Sequence, residues 1–325
     1  MKRKNAQLNI SFAWIFAIVV GAFILFLAIY GVTKFVNIQK TQQGAETGKE
    51  ISVLLNPLES SFETTEMVTI YAPTETRIFS ECENPKSSEV FGKQKIWTLQ
   101  KVYNSWTPTK VEISSRNRYV FSENPVEGKS FVAFSKPFEF PPERRTDSPF
   151  KVADLIYIFP SDEKYCFTEA DEEIIEELDL LQNNSRIKNF YFDDCPTGSK
   201  KICFDSDSED CYAKINYNSG IVEKNSKEVY FETDALMYAA IFSENSEYEC
   251  QIGRIMARAK QLAEIYEIKS EMEKNQSCPG ILDADLIIFK TLLNSYNNSE
   301  DLSYIANQAE QLNARNSMQG DCKLW

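Results

Sequence analysis

The chain has 325 residues, with 48 acidic against 35 basic side chains, eight cysteines and no histidine. The missing imidazole excludes Ser-His-Asp and Cys-His catalysis and His-ligated zinc, and removes the side chain most used for proton transfer near neutral pH. The acidity argues against a nucleic-acid partner, whose affinity comes from neutralising phosphates.

Residues 1–9 form a basic tail carrying Lys2, Arg3 and Lys4. From Ile10 to Tyr30 there are 21 residues without a charge, inside an anchor segment spanning 10–35. At ~1.5 Å per residue, a helix of that length covers the ~30 Å hydrocarbon core of a bilayer. A removable secretory signal has a shorter apolar region and a small-residue cleavage site. The run here ends in Leu27-Ala28-Ile29-Tyr30-Gly31, without an Ala-x-Ala pattern, so a retained transmembrane helix is expected. Three basic residues and the terminal amine precede it, against Lys34, Lys40 and Lys49 beyond, which favours a cytoplasmic N-terminus and an outer domain. Ala13, Ala17, Gly21, Ala28 and Gly31 fall within about 80° of one another at ~100° per residue. Such a stripe of small residues lets helix backbones approach in lipid, pointing to self-association or a second membrane helix as partner.

A polar linker, 36–50, leads to a β-rich part of the ectodomain, 51–145. Thr47-x-x-Glu50 forms a capping box ahead of Ile51, Leu54, Leu55 and Leu58 at helical spacing, and Pro57 limits that helix. MVTIYAP, TRIFSEC, KIWTLQKVY, TKVEIS, RYVFS and SFVAFS then read as short strands. Trp97, Trp106, Phe131, Phe134, Phe138 and Phe140 are assigned to a packed core ahead of a carbohydrate platform. The Pro-rich stretch FPPERRTDSPF, 140–150, is the expected internal boundary.

An α/β part, 146–232, begins with VADLIYIF, a run of buried-strand type. Thr168-x-x-Asp171 caps a helix with Ile174, Ile175, Leu178 and Leu181 on one face, and KNFYF, KKICF, YAKINY and EVYFE follow as strands. The segment 233–325 is helical. Thr233 or Asp234 caps ALMYAAIFS, and a longer helix presents Ile252, Ile255, Met256, Ala259, Leu262, Ala263 and Tyr266. Cys278-Pro279-Gly280 ends it, and two further helices follow. The fold class expected is therefore a mixed α/β (α+β) ectodomain with a C-terminal helical segment, behind one N-terminal transmembrane helix.

Cys82, Cys166, Cys195, Cys203, Cys211, Cys250, Cys278 and Cys322 all lie beyond the apolar run, an even number suited to disulfides in an oxidising compartment. Short helix connections bring Cys322 towards Cys278. The acidic turn Asp205-Ser-Asp207-Ser-Glu209-Asp210 resembles half a calcium loop. Asp210 stands where the loop needs glycine and Asn216 where it needs a bidentate Glu. A solvated hairpin closed by a Cys203–Cys211 bond is the preferred reading, and no metal is assigned. The acids of 162–179 are assigned to a solvated helix face ahead of a glycosidase carboxylate pair. Asn183, Asn275 and Asn297 head glycosylation sequons. There is no Gly-rich phosphate loop, GxSxG elbow or dinucleotide fingerprint, so no catalytic residue or cofactor is assigned.

The basic tail, a small residue, Gln and then a long apolar helix resemble the start of archaeal type IV pilin-like proteins. The resemblance implies cleavage between Ala6 and Gln7, with the apolar helix retained and packed in a bundle. Asn9 and Ser11 stand where that family favours Ser and Glu. The stretch through Lys34 also resembles anchors of uncharacterised archaeal single-pass membrane proteins, a likeness that extends to EISVLLNPLE, KPFEFP and DALMYAAIFS and implies no activity. The function expected is a non-enzymatic cell-surface or envelope component, anchored in the cell membrane by a single pass, that assembles or binds. The alternative is an extracytoplasmic, carboxylate-dependent hydrolase.

Overall fold

A computed structural model describes residues 14–34, 67–85, 92–102, 105–140, 150–183, 185, 187–206, 208–274, 278 and 281–325. Helix α1, Trp14–Lys34, is followed by a mixed α/β domain built on two six-stranded sheets. The first contains β1 (Val68–Glu83), β2 (Lys93–Val102), β3 (Ser105–Ser115), β4 (Tyr119–Phe121), β5 (Val126–Phe140) and β6 (Phe150–Pro160). Their spatial order is β3-β2-β1-β5-β6-β4, antiparallel throughout except for the β4–β6 pair. The second contains β7 (Tyr165–Thr168), β8 (Phe190–Phe192), β9 (Lys200–Phe204), β10 (Ala213–Asn216), β11 (Ile221–Lys224) and β12 (Lys227–Tyr230), in the order β12-β11-β10-β9-β7-β8. The helices of the domain are α2 (Glu172–Asn183), α3 (Asp234–Phe242), α4 (Asn245–Lys274), α5 (Asp283–Ser295) and α6 (Leu302–Ser317).

Strand β4, the Phe131–Ser135 stretch of β5 and the Leu155–Pro160 stretch of β6 are buried on both faces, and each reads as a mainly apolar run. Alternation divides them between two cores. Phe121, Phe134, Phe138, Tyr157 and Phe159 join a large cluster shared with the second sheet and the helices. Val120, Phe131, Ala133, Ile156 and Ile158 turn the other way and meet Ile70, Ile78 and Ile96 of β1 and β2. Phe131, Phe134 and Phe138 are therefore core residues, whereas Trp97 stacks on Phe79 with ring centroids 5.4 Å apart.

Helix α3 is buried from Ala235 to Phe242. A helix apolar on every side has no solvent face to offer, and it must sit inside the domain. It packs on β4, β5 and β6, on β11 and on α4. Its N-terminus is capped by Thr233, whose hydroxyl accepts from the Leu236 N–H.

The first sheet curls until the start of β2 approaches β4. Gln94 spans the gap: its carboxamide accepts from the Val120 N–H at 2.9 Å and donates to the Val120 carbonyl at 2.9 Å. A side chain thus supplies the pair of bonds that a neighbouring strand would make. The Gln94 amide also reaches Ser80 Oγ at 2.7 Å and Glu247 at 3.3 Å, and Gln251 donates to Glu247 at 2.8 Å. The Cys82–Cys250 disulfide ties β1 to α4 beside this network.

Three local expectations change. MVTIYAP and TRIFSEC form one strand, β1, whose pairing with β5 shifts register between Tyr71 and Thr76, around Pro73, which has no N–H for the ladder. The Pro-rich stretch joins β5 to β6, which pair antiparallel in one sheet, so it separates no structural units. The acidic turn at 205–210 is not a hairpin: β9 and β10 are parallel. The chain runs back along β9, with the Tyr212 N–H on the Lys201 carbonyl and the Cys203–Cys211 bond holding the return.

Replacing Gln94 with Leu leaves the Val120 N–H without its Gln94 acceptor and the Val120 carbonyl with only the longer bond from Gln251 at 3.4 Å, and a destabilisation of roughly 1–3 kcal/mol is expected. Urea unfolding of wild type and variant measures it; a change within error would remove Gln94 as the closure of the sheet.

Candidate functional site

Helix α1 is exposed along its whole length and is long and apolar enough to cross a membrane. Ala17, Gly21, Ala28 and Gly31 share one side of it, and a Cβ added at Gly21 or Gly31 would meet no atom within 4 Å. Ala13, with Ala6 and Gln7, lies outside the described residues, as does the capping box ahead of Ile51.

On the domain, a groove of about 900 Å³ opens where five chain segments meet. The end of β5 supplies Lys136 and Glu139, and the start of α2 supplies Asp171 and Glu173. The turn after β10 brings Tyr217, the approach to α3 brings Glu232 and Asp234, and α6 brings Glu310. Among the described residues, six carboxylates thus line the walls beside the Lys136 ammonium, which Glu177 holds through both its oxygens at 2.6 and 2.7 Å. Tyr217 donates to Asp234 at 2.8 Å. Such a surface is chemically suited to amines and guanidinium groups and repels anions. Asp171 and Glu173 belong to the acidic stretch read as a solvated helix face; tertiary packing turns these two into the groove.

A second polar cluster lies between the sheets. Lys200 donates to Glu123 at 2.8 Å and to Glu163 at 3.0 Å, while Tyr212 donates to Glu123 and Tyr165 to Glu163. Burial opposes the Glu123 charge, but the Lys200 and Tyr212 hydrogen bonds, with the Lys200 and Lys224 charges, hold its carboxyl below the usual range. Burial pushes the Tyr212 hydroxyl upward, helped by Glu123. Lys224 stands beside this group, 3% exposed, with its ammonium donating to the carbonyls of Ala240, Ile241 and Ser243 at the end of α3. A cation there satisfies carbonyls that the helix leaves open and complements its negative end. Burial lowers the Lys224 pKa to about 8 even though Glu123 favours the charge.

Glu163 belongs to the acidic stretch 162–179 read as a solvated helix face, but it precedes β7 and lies outside α2, and there it accepts from Lys200 and Tyr165. Glu123, Lys200 and Lys224 did not stand out in the sequence. The alternation of β11 carried one signal, since it puts Lys224 on the same buried face as Val222. The cysteines form four bonds: Cys82–Cys250, Cys166–Cys195, Cys203–Cys211 and Cys278–Cys322. The two pairings expected from spacing are among them, and no cysteine is free. Asn183 and Asn297 are exposed, and Asn275 lies outside the described residues. Among the described residues no group of three or more acidic or cysteine side chains is arranged to hold a metal ion. No family model, curated protein or solved structure matches the chain.

Lys224 gives a signed pH dependence. Between about 8 and the ordinary lysine value near 10.4, the native state has lost the proton that the unfolded state keeps, so stability rises with pH in that window. The rise is on the order of 3 kcal/mol over the full window and is absent from Lys224→Met. Urea midpoints of both proteins at pH 7.5, 8.5 and 9.5 check it; parallel profiles would refute it.

Proposed function

We propose that this protein is a non-enzymatic, single-pass component of a cell surface or envelope, anchored by α1 with its disulfide-braced domain outside the membrane. One observation carries the reading: an apolar helix with no burial against the domain is joined to a domain in which every cysteine is oxidised. Bonds of that kind persist in extracytoplasmic compartments, and apolar surface of that length is stable in lipid. The basic tail before α1 favours the N-in orientation. Beyond Lys40 the chain carries 48 acidic against 30 basic side chains, which keeps the domain off anionic headgroups.

Binding and assembly have separate supports. The acidic groove offers carboxylates to a cationic partner. The small-residue side of α1 offers close packing to a second copy in the bilayer. In the pilin-like form of the reading, cleavage at Ala6–Gln7 leaves α1 near the mature N-terminus, free to enter a bundle. A carboxylate-dependent hydrolase gains no specific support, because Glu123 and Glu163 converge on one ammonium and are held there as its ion-pair partners.

N-terminal mass spectrometry of membrane-extracted protein tests the anchor. A start at Met1 or Gln7 is expected, Gln7 marking pilin-like processing, and a start beyond Tyr30 would overturn the anchored reading. Gly21→Leu places bulk on the stripe without touching the domain, and is expected to weaken self-association in micelles about tenfold. Sedimentation equilibrium of wild type and variant measures this, and equal association would remove the stripe as the contact.

A further inference from the structure

The turn from β3 into β4, Ser115-Arg116-Asn117-Arg118, forms the wall of a second concavity of about 570 Å³, completed by Ser114 and Lys93. It differs in sign from the groove described above. Three cationic side chains line it in a domain that is otherwise strongly acidic. Its construction is set from beneath by Arg254, which is 0% exposed and donates to the carbonyls of Ser115 at 3.2 Å, Arg116 at 3.0 Å and Arg118 at 3.1 Å. A single buried guanidinium thus draws three carbonyls of the turn inward and fixes its backbone. Its positive charge also lies directly behind the pocket. Arg118 is only 6% exposed, which leaves its guanidinium few positions to take.

The outer donors of this turn are uncommitted. Among the described residues Ser114, Ser115, Arg116 and Asn117 spend no side-chain group on an intramolecular hydrogen bond or ion pair. Glu83 holds Lys93 at 3.1 Å and Lys95 at 2.5 Å, and Asp154 acts on Arg118. Among the described residues no carboxylate lines the pocket, and two hydroxyls, an amide and the Arg116 guanidinium remain for a ligand.

We propose that this pocket binds a small ligand through one oxyanion group, a phosphate, sulfate or carboxylate, seated on Arg116 with its polar remainder on Ser114, Ser115 and Asn117. A planar guanidinium pairs such groups through two parallel bonds, and the neighbouring hydroxyls supply the donors that complete an anion's shell. An extended polyanion does not fit the same surroundings, because the rest of the domain repels it.

Inorganic phosphate, inorganic sulfate and acetate are titrated separately into the full-length chain in uncharged micelles at constant ionic strength, with isothermal calorimetry as readout. Saturable one-to-one binding of at least one anion is expected, and which one binds identifies the group. Arg116→Ser weakens that binding about tenfold or more, the loss of a charge-assisted contact. The Arg116 side chain is exposed and among the described residues makes no hydrogen bond or ion pair, so the variant keeps the wild-type unfolding midpoint. Lys227→Ser, an exposed cation on the second sheet, leaves binding unchanged. Absence of saturable binding by all three anions overturns the proposal, as does binding that Arg116→Ser leaves intact or that Lys227→Ser reduces equally.

Discussion

A helix with no face to water imposes the main constraint on this domain. Helix α3 is buried from Ala235 to Phe242, so its open backbone groups must find partners inside the protein. Thr233 meets the first turn, and Tyr157 donates its hydroxyl to the Ala235 carbonyl at 2.8 Å. At the other end Ser243 donates to the Ala239 carbonyl at 2.6 Å, and the Lys224 ammonium takes three more carbonyls. The second sheet contributes that lysine from the end of β11. Position of the helix and position of the sheet are consequently one requirement: moving either leaves a charge or several carbonyls buried without partners, each at a cost of about 1–3 kcal/mol or more.

The same logic organises the first sheet. Its three double-faced strands feed two cores, and the curl that encloses the smaller core brings β2 and β4 close without pairing their backbones. Gln94 fills that gap with the two bonds a strand would have made. Behind it, Glu247 and Gln251 rise from the first turns of α4, and Arg254 one turn later holds the carbonyls of the β3–β4 turn. Burial raises the Glu247 carboxyl pKa, against the hydrogen bonds from Gln251 and Ser80. Helix α4 therefore serves the sheet with polar groups and the large core with Ile252, Ile255, Met256 and Ala259. The four disulfides fix the same junctions covalently, one between β1 and α4, two in the second sheet region and one across the helical hairpin.

Rigid supports of this kind leave the outer surface free to carry sign. The acidic groove is open at the α3 N-terminus, while the basic turn sits over Arg254 near the β3 edge. The basic turn depends on a buried group that sets its backbone direction, and both surfaces differ chemically from the apolar helix that precedes the domain. The apolar helix, the acidic groove and the basic turn thus occupy separate parts of one chain.

Composition and periodicity alone determined the apolar helix, the mixed fold class, the start of α3 at Thr233 or Asp234, the burial of VADLIYIF and the α4 face from Ile252 to Tyr266. These are local properties, set by the order of apolar residues along a single element. Spacing also reached two disulfides, because short connections confine where Cys322 and Cys211 can go. The parallel pairing of β9 with β10, the continuity of β1 through Pro73 and the Cys82–Cys250 bond across 168 residues came only with the tertiary structure. So did every polar group that defines a site. Gln94, Glu123, Lys224 and Arg254 look like surface residues in a linear reading, since a charged or amide side chain is buried only when a distant backbone or carboxylate meets it. That meeting is a property of the packed chain, and no run of neighbouring residues encodes it.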